Sequence, residues 1–259
     1  MHLEITNLHN AEIFVHCLQH MKVFTDCINI IFQTDHLYIQ SMDATMVVIM
    51  ELRLPASWFD KYEVKEPNTI GISTTILNKV LNVRDKQQTI RWSTEEKNDH
   101  LSVFFESAES KLIFDKSFEI PLMDIDTELM HIPDDVEYSA DITLPSLTFS
   151  SLTNQLKQFG DILNISCTEE EIKLEAESQE FGKMKTNIPI QDLDEYAINE
   201  GETILSSYSL KLISNVCLFQ KVGQQVFLGL SLSFPLKIQY RICEGAKIDF
   251  YIAPRIDDA

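Results

Sequence analysis

The chain has 259 residues, 44% of them hydrophobic, and carries 40 acids against 21 lysines and arginines for a formal net charge of −19. Such an excess opposes nonspecific attraction to nucleic acid unless the positive charge is segregated onto one surface. Seven glycines leave little material for phosphate-cradling loops, and no Walker-type, Gly-x-Gly-x-x-Gly or Gly-x-Ser-x-Gly motif occurs.

Five widely spaced cysteines (Cys17, Cys27, Cys167, Cys217 and Cys243) with no Cys-x-x-Cys argue against a disulfide framework or a zinc site. The first residues, Met-His-Leu-Glu-Ile-Thr, show no basic region followed by an apolar one. The longest uncharged apolar run, near Met46–Met50, is far shorter than the ~20 residues of a membrane span. The expectation is a soluble, acidic, intracellular protein in a reducing compartment.

In chain order, residues 11–24 read as a helix with Asn10 as cap. Ile13, Phe14, Cys17, Leu18, Met21 and Phe24 fall on its apolar side, and Glu12, Val15, His16, Gln19, Lys22 and Val23 opposite. His36–Met42 and Thr45–Arg53 read as strands, the second broken by Pro55. A second helix over 73–83 turns Ile76, Leu77, Val80 and Leu81 inward and Thr75, Asn78, Lys79 and Asn82 outward. Thr89–Ser93, Leu101–Ser107 and Leu112–Ile120 read as strands closing the first half.

From Leu122 to Glu137 the character changes. Asp124, Asp126, Glu128, Asp134, Asp135 and Glu137 alternate irregularly with large apolar side chains, without a lysine or arginine, and Pro133 argues against a regular helix or central strand. We read this stretch as a tether between two like domains, residues 1–121 and 138–259.

The order then repeats. Tyr138–Leu144 is a strand, and Pro145-Ser146 starts a helix to about Phe159, with Phe149, Leu152, Leu156 and Phe159 inward and Ser150, Ser151, Asn154, Lys157 and Gln158 outward. Strands follow at Ile162–Cys167, Glu171–Ala176 and Lys183–Ile190, then an acidic stretch Gln191–Glu202 that reads as a solvated loop. A fourth helix over Tyr208–Phe219 buries Leu212, Ile213, Val216 and Cys217 and exposes Lys211, Ser214, Asn215 and Leu218. Gln225–Cys243 and Lys247–Ile252 are strands, the first with a clear period of two from Leu236 to Ile242. The pattern is α+β: two similar domains, each with two helices on antiparallel sheets.

The outward helix positions hold a single acid, Glu12, against Lys22, Lys79, Lys157 and Lys211, one lysine per helix. On a chain this acidic, that is the segregation a DNA-facing surface requires. His16 and His20 have the spacing of two ligands on one helical face, but the residue after His16 is Cys17, not the Glu of a metalloprotease helix, and it belongs to the apolar side, so no metal site is expected. Paired acids such as Asp124/Asp126 and Asp134/Asp135 follow from composition, and no catalytic constellation emerges. No cofactor is expected, and no enzymatic activity.

Ile39-Gln40-Ser41-Met42-Asp43 resembles the Leu-Gln-Ser-Met-Asp signature of the eukaryotic-type sliding clamps, the proliferating cell nuclear antigen family. Leu122-Met123-Asp124-Ile125-Asp126 with Ile132-Pro133 resembles that family's interdomain connecting loop. Phe250-Tyr251-Ile252-Ala253-Pro254-Arg255-Ile256 resembles its C-terminal ending, and Ile165-Ser166-Cys167 fits the strand after the third helix. Four motifs in register over the whole chain make the resemblance specific.

The resemblance implies a homotrimeric ring of six similar domains, lined by twelve helices, around duplex DNA. Lys22, Lys79, Lys157 and Lys211 would face the DNA. The strand around Leu112–Phe118, with Leu112, Phe114 and Phe118, would pair with the strand around Phe181–Ile188, with Lys183 and Lys185, of the next subunit. Met42, Met46, Val47, Met130, Ile132, Pro133, Pro235, Tyr251, Ala253 and Pro254 would form an apolar pocket for polymerases, clamp loaders and other partners bearing a short motif of a Gln, an aliphatic residue and two aromatics.

The implied location is the nucleus or a viral replication compartment. Departures from the family pattern are Met46 for a pocket histidine, His131 for a glycine, and Glu169 where the modified lysine usually stands. Val15, His16, Asn82, Ser151, Asn154 and Leu218 stand at usually basic inner positions. Two other readings are a subunit of a hetero-oligomeric checkpoint-type clamp, and a viral processivity factor holding DNA as a monomer or dimer.

Overall fold

In a computed structural model, the structure describes residues 1–95, 99–107, 112–126, 128–133 and 136–255. Asp134, Asp135 and the residues from Ile256 onward lie outside the described ones. The chain divides into two compact units, 1–44, 50–129 and 243–248 in the first, and 45–49, 130–242 and 249–259 in the second.

The first unit begins with β1 (His2–Ile5), α1 (Leu8–Gln19), β2 (Cys27–Phe32), β3 (His36–Met42), β4 (Val48–Pro55, its residues 48–49 counted in the second unit) and β5 (Lys61–Glu63). It continues with β6 (Asn68–Ser73), α2 (Thr74–Asn82), β7 (Thr89–Ser93), β8 (His100–Glu106) and β9 (Lys116–Pro121). One sheet has the order β5-β1-β7-β8-β9, and a second run has the order β4-β3-β2-β6.

Helix α1 starts three residues before its expected first turn. Asn7, not Asn10, is the cap: its side chain accepts from the amides of His9 (3.0 Å) and Asn10 (3.1 Å), while the Asn10 side chain donates to the Trp58 carbonyl at 3.3 Å. The helix stops at Gln19, and a single 3-10 turn over Met21–Val23 carries the chain on, so the expected helix to Phe24 ends early. Its inner face packs aromatics: Phe14 is fully buried, with its ring 5.0 Å from Trp92 and 6.2 Å from Trp58 and from Phe59. Val15, expected outward, is buried too, because the apolar stripe of α1 is wider than one helical edge.

Helix α2 is capped by Ser73, and it corrects two further assignments. Asn78 is buried and Ile76 is partly exposed. With its amide oriented to satisfy both neighbours, Asn78 donates to the Gln19 carbonyl (3.2 Å) and accepts from Lys22 Nζ (3.0 Å), tying α2 to the end of α1. A buried amide with both groups paired is stable where an unpaired one would cost about 1–3 kcal/mol.

The second unit holds β10 (Ala140–Pro145), α3 (Ser146–Leu156), β11 (Ile162–Cys167), β12 (Glu171–Ser178), β13 (Gly182–Pro189) and β14 (Glu195–Ile198). After these come β15 (Ile204–Ser209), α4 (Leu210–Val216), β16 (Gln225–Leu230), β17 (Leu236–Cys243) and β18 (Ala246–Ile252), of which residues 243 and 246–248 are counted in the first unit. Its sheet has the order β13-β12-β11-β15, beside a run β14-β10-β16-β17-β18. The core includes Phe149, Leu156, Tyr208, Tyr240 and the pair Phe219–Phe250, whose ring centroids lie 4.9 Å apart.

Several expectations shift here for identifiable reasons. Tyr208 and Ser209 belong to β15, paired with Leu163 and Ile162 of β11, so α4 starts at Leu210 and ends in a 3-10 turn over Cys217–Phe219. Helix α3 ends at Leu156, leaving Leu152 and Phe159 only half-buried, while Ser150 and Thr153 are buried. The acidic stretch Gln191–Glu202 contains strand β14, paired with β10, and the Tyr196 hydroxyl donates to the Thr168 carbonyl at 2.6 Å. The expected strand Gln225–Cys243 is a hairpin, interrupted at Ser231–Pro235. The strand expected from Leu112 begins only at Lys116.

Residues 122–126, 128–133 and 136–137 form neither helix nor strand apart from one bridge, between Met123 and Gly71.

Candidate functional surfaces

Each end of the irregular segment rests on a glycine of its own unit. In the first, the Met123 amide donates to the Gly71 carbonyl at 2.9 Å, Asn29 Nδ2 donates to the Ile125 carbonyl at 3.0 Å, and the Leu122 amide donates to the Asp99 carbonyl at 2.8 Å. A Cβ on Gly71 would lie 2.3 Å from the Met123 carbonyl oxygen and 2.8 Å from the Ile125 side chain. In the second, a Cβ on Gly229 would lie 2.7 Å from the Tyr138 ring. These glycines have no side chain because the segment's ends occupy that space.

Of the expected pocket residues, the second unit contains all but Met42, which ends β3 in the first. The structure brings two sites of this group together. The Ala253 amide donates to the Val47 carbonyl at 3.0 Å, which joins the short 45–49 segment to the chain end. Next to it Met46 has a φ of 56° and is 79% exposed. A positive φ is costly for a side chain of this size, so the turn holds Met46 outward against its backbone preference.

Tyr251 is half-buried, with Lys237 Nζ 5.8 Å from its ring centroid. Met130, Pro133, Pro235, Ala253 and Pro254 are exposed, and Ile132 is half-buried. Phe234 and Leu232, exposed beside Pro235, are apolar surface that the strand-like alternation of 225–243 concealed. The signal for them was Pro235, which a continuous strand does not tolerate.

In each unit the two helices pack as a pair, α1 with α2 and α3 with α4. Lys22, Lys79, Lys157 and Lys211 are all exposed. Glu12, the one acid on the outward helix positions, is neutralised locally. Its carboxylate lies 3.5 Å from each of Arg84, Lys86 and His16, and the Arg84 side chain is only 2% exposed. Burial on its own pushes the Glu12 carboxyl up, but Lys86, His16 and Arg84 together outweigh it and hold the group below its ordinary range. The acid therefore costs the helical face little of its positive character. His16 and His20 stack with ring centroids 6.0 Å apart, and among the described residues no group of three or more His, Cys, Asp or Glu is arranged to hold a metal ion.

Among the described residues six strands are terminal in their sheets, β5, β6, β9, β13, β14 and β15, and the two that the resemblance assigns to subunit contacts are β9 and β13. Among the described residues, β9 pairs only with β8, and β13 only with β12. Phe118 lies within β9, half-buried and 5.6 Å from Phe105, while Lys183 and Lys185 are exposed along β13. Leu112 and Phe114 precede β9 in irregular chain and are 88% and 77% exposed; Gln88 Nε2 donates to the Phe114 carbonyl at 2.8 Å. An edge strand with large apolar side chains beside it is a template for pairing.

Residues 3–129 match the family model for the N-terminal domain of proliferating cell nuclear antigen, and residues 131–255 match that for its C-terminal domain. The chain belongs to the proliferating cell nuclear antigen family. It is a clamp of that type, with two such domains in tandem and an α+β fold of four helices and mostly antiparallel sheets. Domains of the proliferating cell nuclear antigen family are non-catalytic scaffolds of sliding-clamp function in DNA replication and repair, associating with DNA, with replication proteins and with copies of themselves.

Proposed function

We propose that this chain forms a homotrimeric ring around duplex DNA and acts as a processivity factor. It tethers DNA polymerases and other replication and repair enzymes through the surface around Tyr251 and the connecting segment. The observation that carries the reading is the pair of unpaired edges, β9 in one unit and β13 in the other, within a chain that matches both clamp domains. Pairing β9 of one copy with β13 of the next gives a head-to-tail contact, which repeats until a ring closes and leaves neither of these two edges free in any copy. The clamp acts by raising the effective concentration of a tethered polymerase at the template.

The helix lysines support a DNA-facing role of low affinity. Few phosphate contacts suit a ring that must slide, since tight binding through many of them would arrest it. Partner motifs dock on Met42, Met46, Val47, Met130, Ile132, Pro133, Pro235, Tyr251, Ala253 and Pro254. Methionines suit varied ligands because the side chain adapts its shape. The site of action is the nucleus or a viral replication compartment.

The test is topological. The protein is loaded onto nicked circular DNA with a clamp loader, and the circle is then cut. Release on cutting, prevented by blocking the DNA ends, is the expected result. Retention on open-ended linear DNA would contradict encirclement and favour direct electrostatic holding.

A further inference from the structure

A second feature of the C-terminal unit is a cleft of about 520 Å³ on the outer face of the β13-β12-β11-β15 sheet. Strand register defines its floor. One row across the sheet runs Ser207, Asn164, Glu175, Lys185, and the next runs Leu205, Ser166, Lys173, with each residue directly opposite its neighbour. Directly opposed side chains have Cβ atoms about 4.5–5.5 Å apart, so each row is a line of neighbouring side chains. Ser231, Leu232, Pro254 and Arg255 complete the lining. The wall is fixed to the floor by a main-chain hydrogen bond, from the Arg255 amide to the Ser207 carbonyl at 2.8 Å.

The chemistry is unusual for a chain of net charge −19. Three cations and one carboxylate line the cleft with Ser166, Ser207 and Ser231. The carboxylate, Glu175, is engaged by Lys183, and Lys173 is engaged by Glu171. Among the described residues, no carboxylate lies within ion-pair distance of Lys185 or Arg255. Two cations without an ion-pair partner among the described residues, with hydroxyl and amide donors between them, suit a compact dianion, and the guanidinium of arginine matches the oxygens of a phosphate two at a time. Leu205 and Leu232, both strongly exposed, supply apolar surface for the chain that carries the dianion.

We propose that this cleft binds a phosphorylated serine or threonine of the partner segment whose motif docks around Tyr251. The proposal rests on that docking reading, and Pro254 belongs to both surfaces. Phosphorylation of the partner then strengthens its hold on the clamp, through a site separate from the apolar pocket.

The test measures binding of synthetic peptides to the full-length protein by fluorescence anisotropy at fixed salt. All peptides carry the Gln, aliphatic and double-aromatic motif. In one series a phosphoserine is walked outward from either end of the motif in steps of two residues, and matched series carry serine or glutamate at the same places. The unphosphorylated peptide reports the docking reading, and the difference between series reports the cleft.

The expected result is about tenfold tighter binding for phosphoserine at one stretch of positions only. In Arg255→Ala most of that gain disappears, and in Arg255→Lys part of it returns, while the unphosphorylated peptide binds within twofold of wild type. The Arg255 hydrogen bond to Ser207 is main-chain and survives both changes. As a second variant, Ser166→Glu puts a carboxylate in the cleft floor and removes the gain. A gain independent of position, an equal gain from glutamate, or a gain that survives both Arg255→Ala and Ser166→Glu would overturn the proposal. Binding of the serine peptide without any phosphoserine gain would overturn the cleft alone; failure of every peptide would overturn both.

Discussion

The amide of Met123 donates to the carbonyl of Gly71 at 2.9 Å, and the space a side chain at residue 71 would take is filled by Met123 and Ile125. The connecting segment is therefore anchored at its start, by a glycine inside a strand that packs against backbone. At its far end Tyr138 occupies the space over Gly229 in the same way.

Gly71→Ala should displace residues 122–125 from β6. The new methyl meets backbone, which cannot swing aside as a flexible side chain can, and overpacking of this kind costs about 1–3 kcal/mol. Denaturant unfolding should show that loss, and hydrogen exchange should show faster exchange at the Met123 amide. Unchanged exchange there would mean the segment is not held by this contact.

Glu12 supports a pH prediction. Its carboxyl is held below the ordinary range in the folded protein, so its contribution to stability is present above the unfolded-state value and is lost as pH falls through the folded one. Glu12→Gln should cost about 1 kcal/mol at neutral pH, since one partly exposed acid meets three bases. The difference from wild type should shrink once the pH falls below the usual carboxylate range. Thermal unfolding of both proteins across a pH series measures this, and a gap that widens in acid would contradict it.

The helices and most strands of the fold were legible in sequence, and the misplacements are instructive. Asn7 and Asn10 are equally good caps by type, and only the Trp58 carbonyl, distant in sequence, decides that Asn10 is used elsewhere. Asn78 looks like surface from helical period alone, and its burial depends on the Gln19 carbonyl and Lys22. Strand β14 was hidden by the acids around Tyr196, whose hydroxyl finds its acceptor in another turn. The Tyr251–Pro254 surface came from resemblance; period and composition marked none of it. The cleft beneath Arg255 depends on cross-strand register, which a single sequence does not specify.

Tyr251→Ala tests the docking surface. Removing an anchoring aromatic should weaken a motif peptide more than tenfold, a loss of about 2 kcal/mol or more. The half-buried ring lies on the surface of the unit, so oligomeric mass and melting temperature should stay close to wild type. Peptide titration and light scattering on the same sample separate the two effects. Peptide binding at wild-type strength would show that the site is misplaced.

Phe114→Asp tests the subunit joint. Phe114 is 77% exposed in the single chain, so a charge there costs the isolated fold little. In the ring it would bury a carboxylate against a neighbouring copy without a partner. The expected result is a shift toward single chains at micromolar concentration with unfolding midpoints close to those of wild-type single chains. An unaltered mass would remove Phe114 from the joint.

The central claim is that three copies close a ring through β9 and β13, and light scattering across a dilution series tests it most directly. The prediction is a mass three times 29.8 kDa at micromolar concentration. A single-chain mass over the same range, with the protein folded, would contradict it.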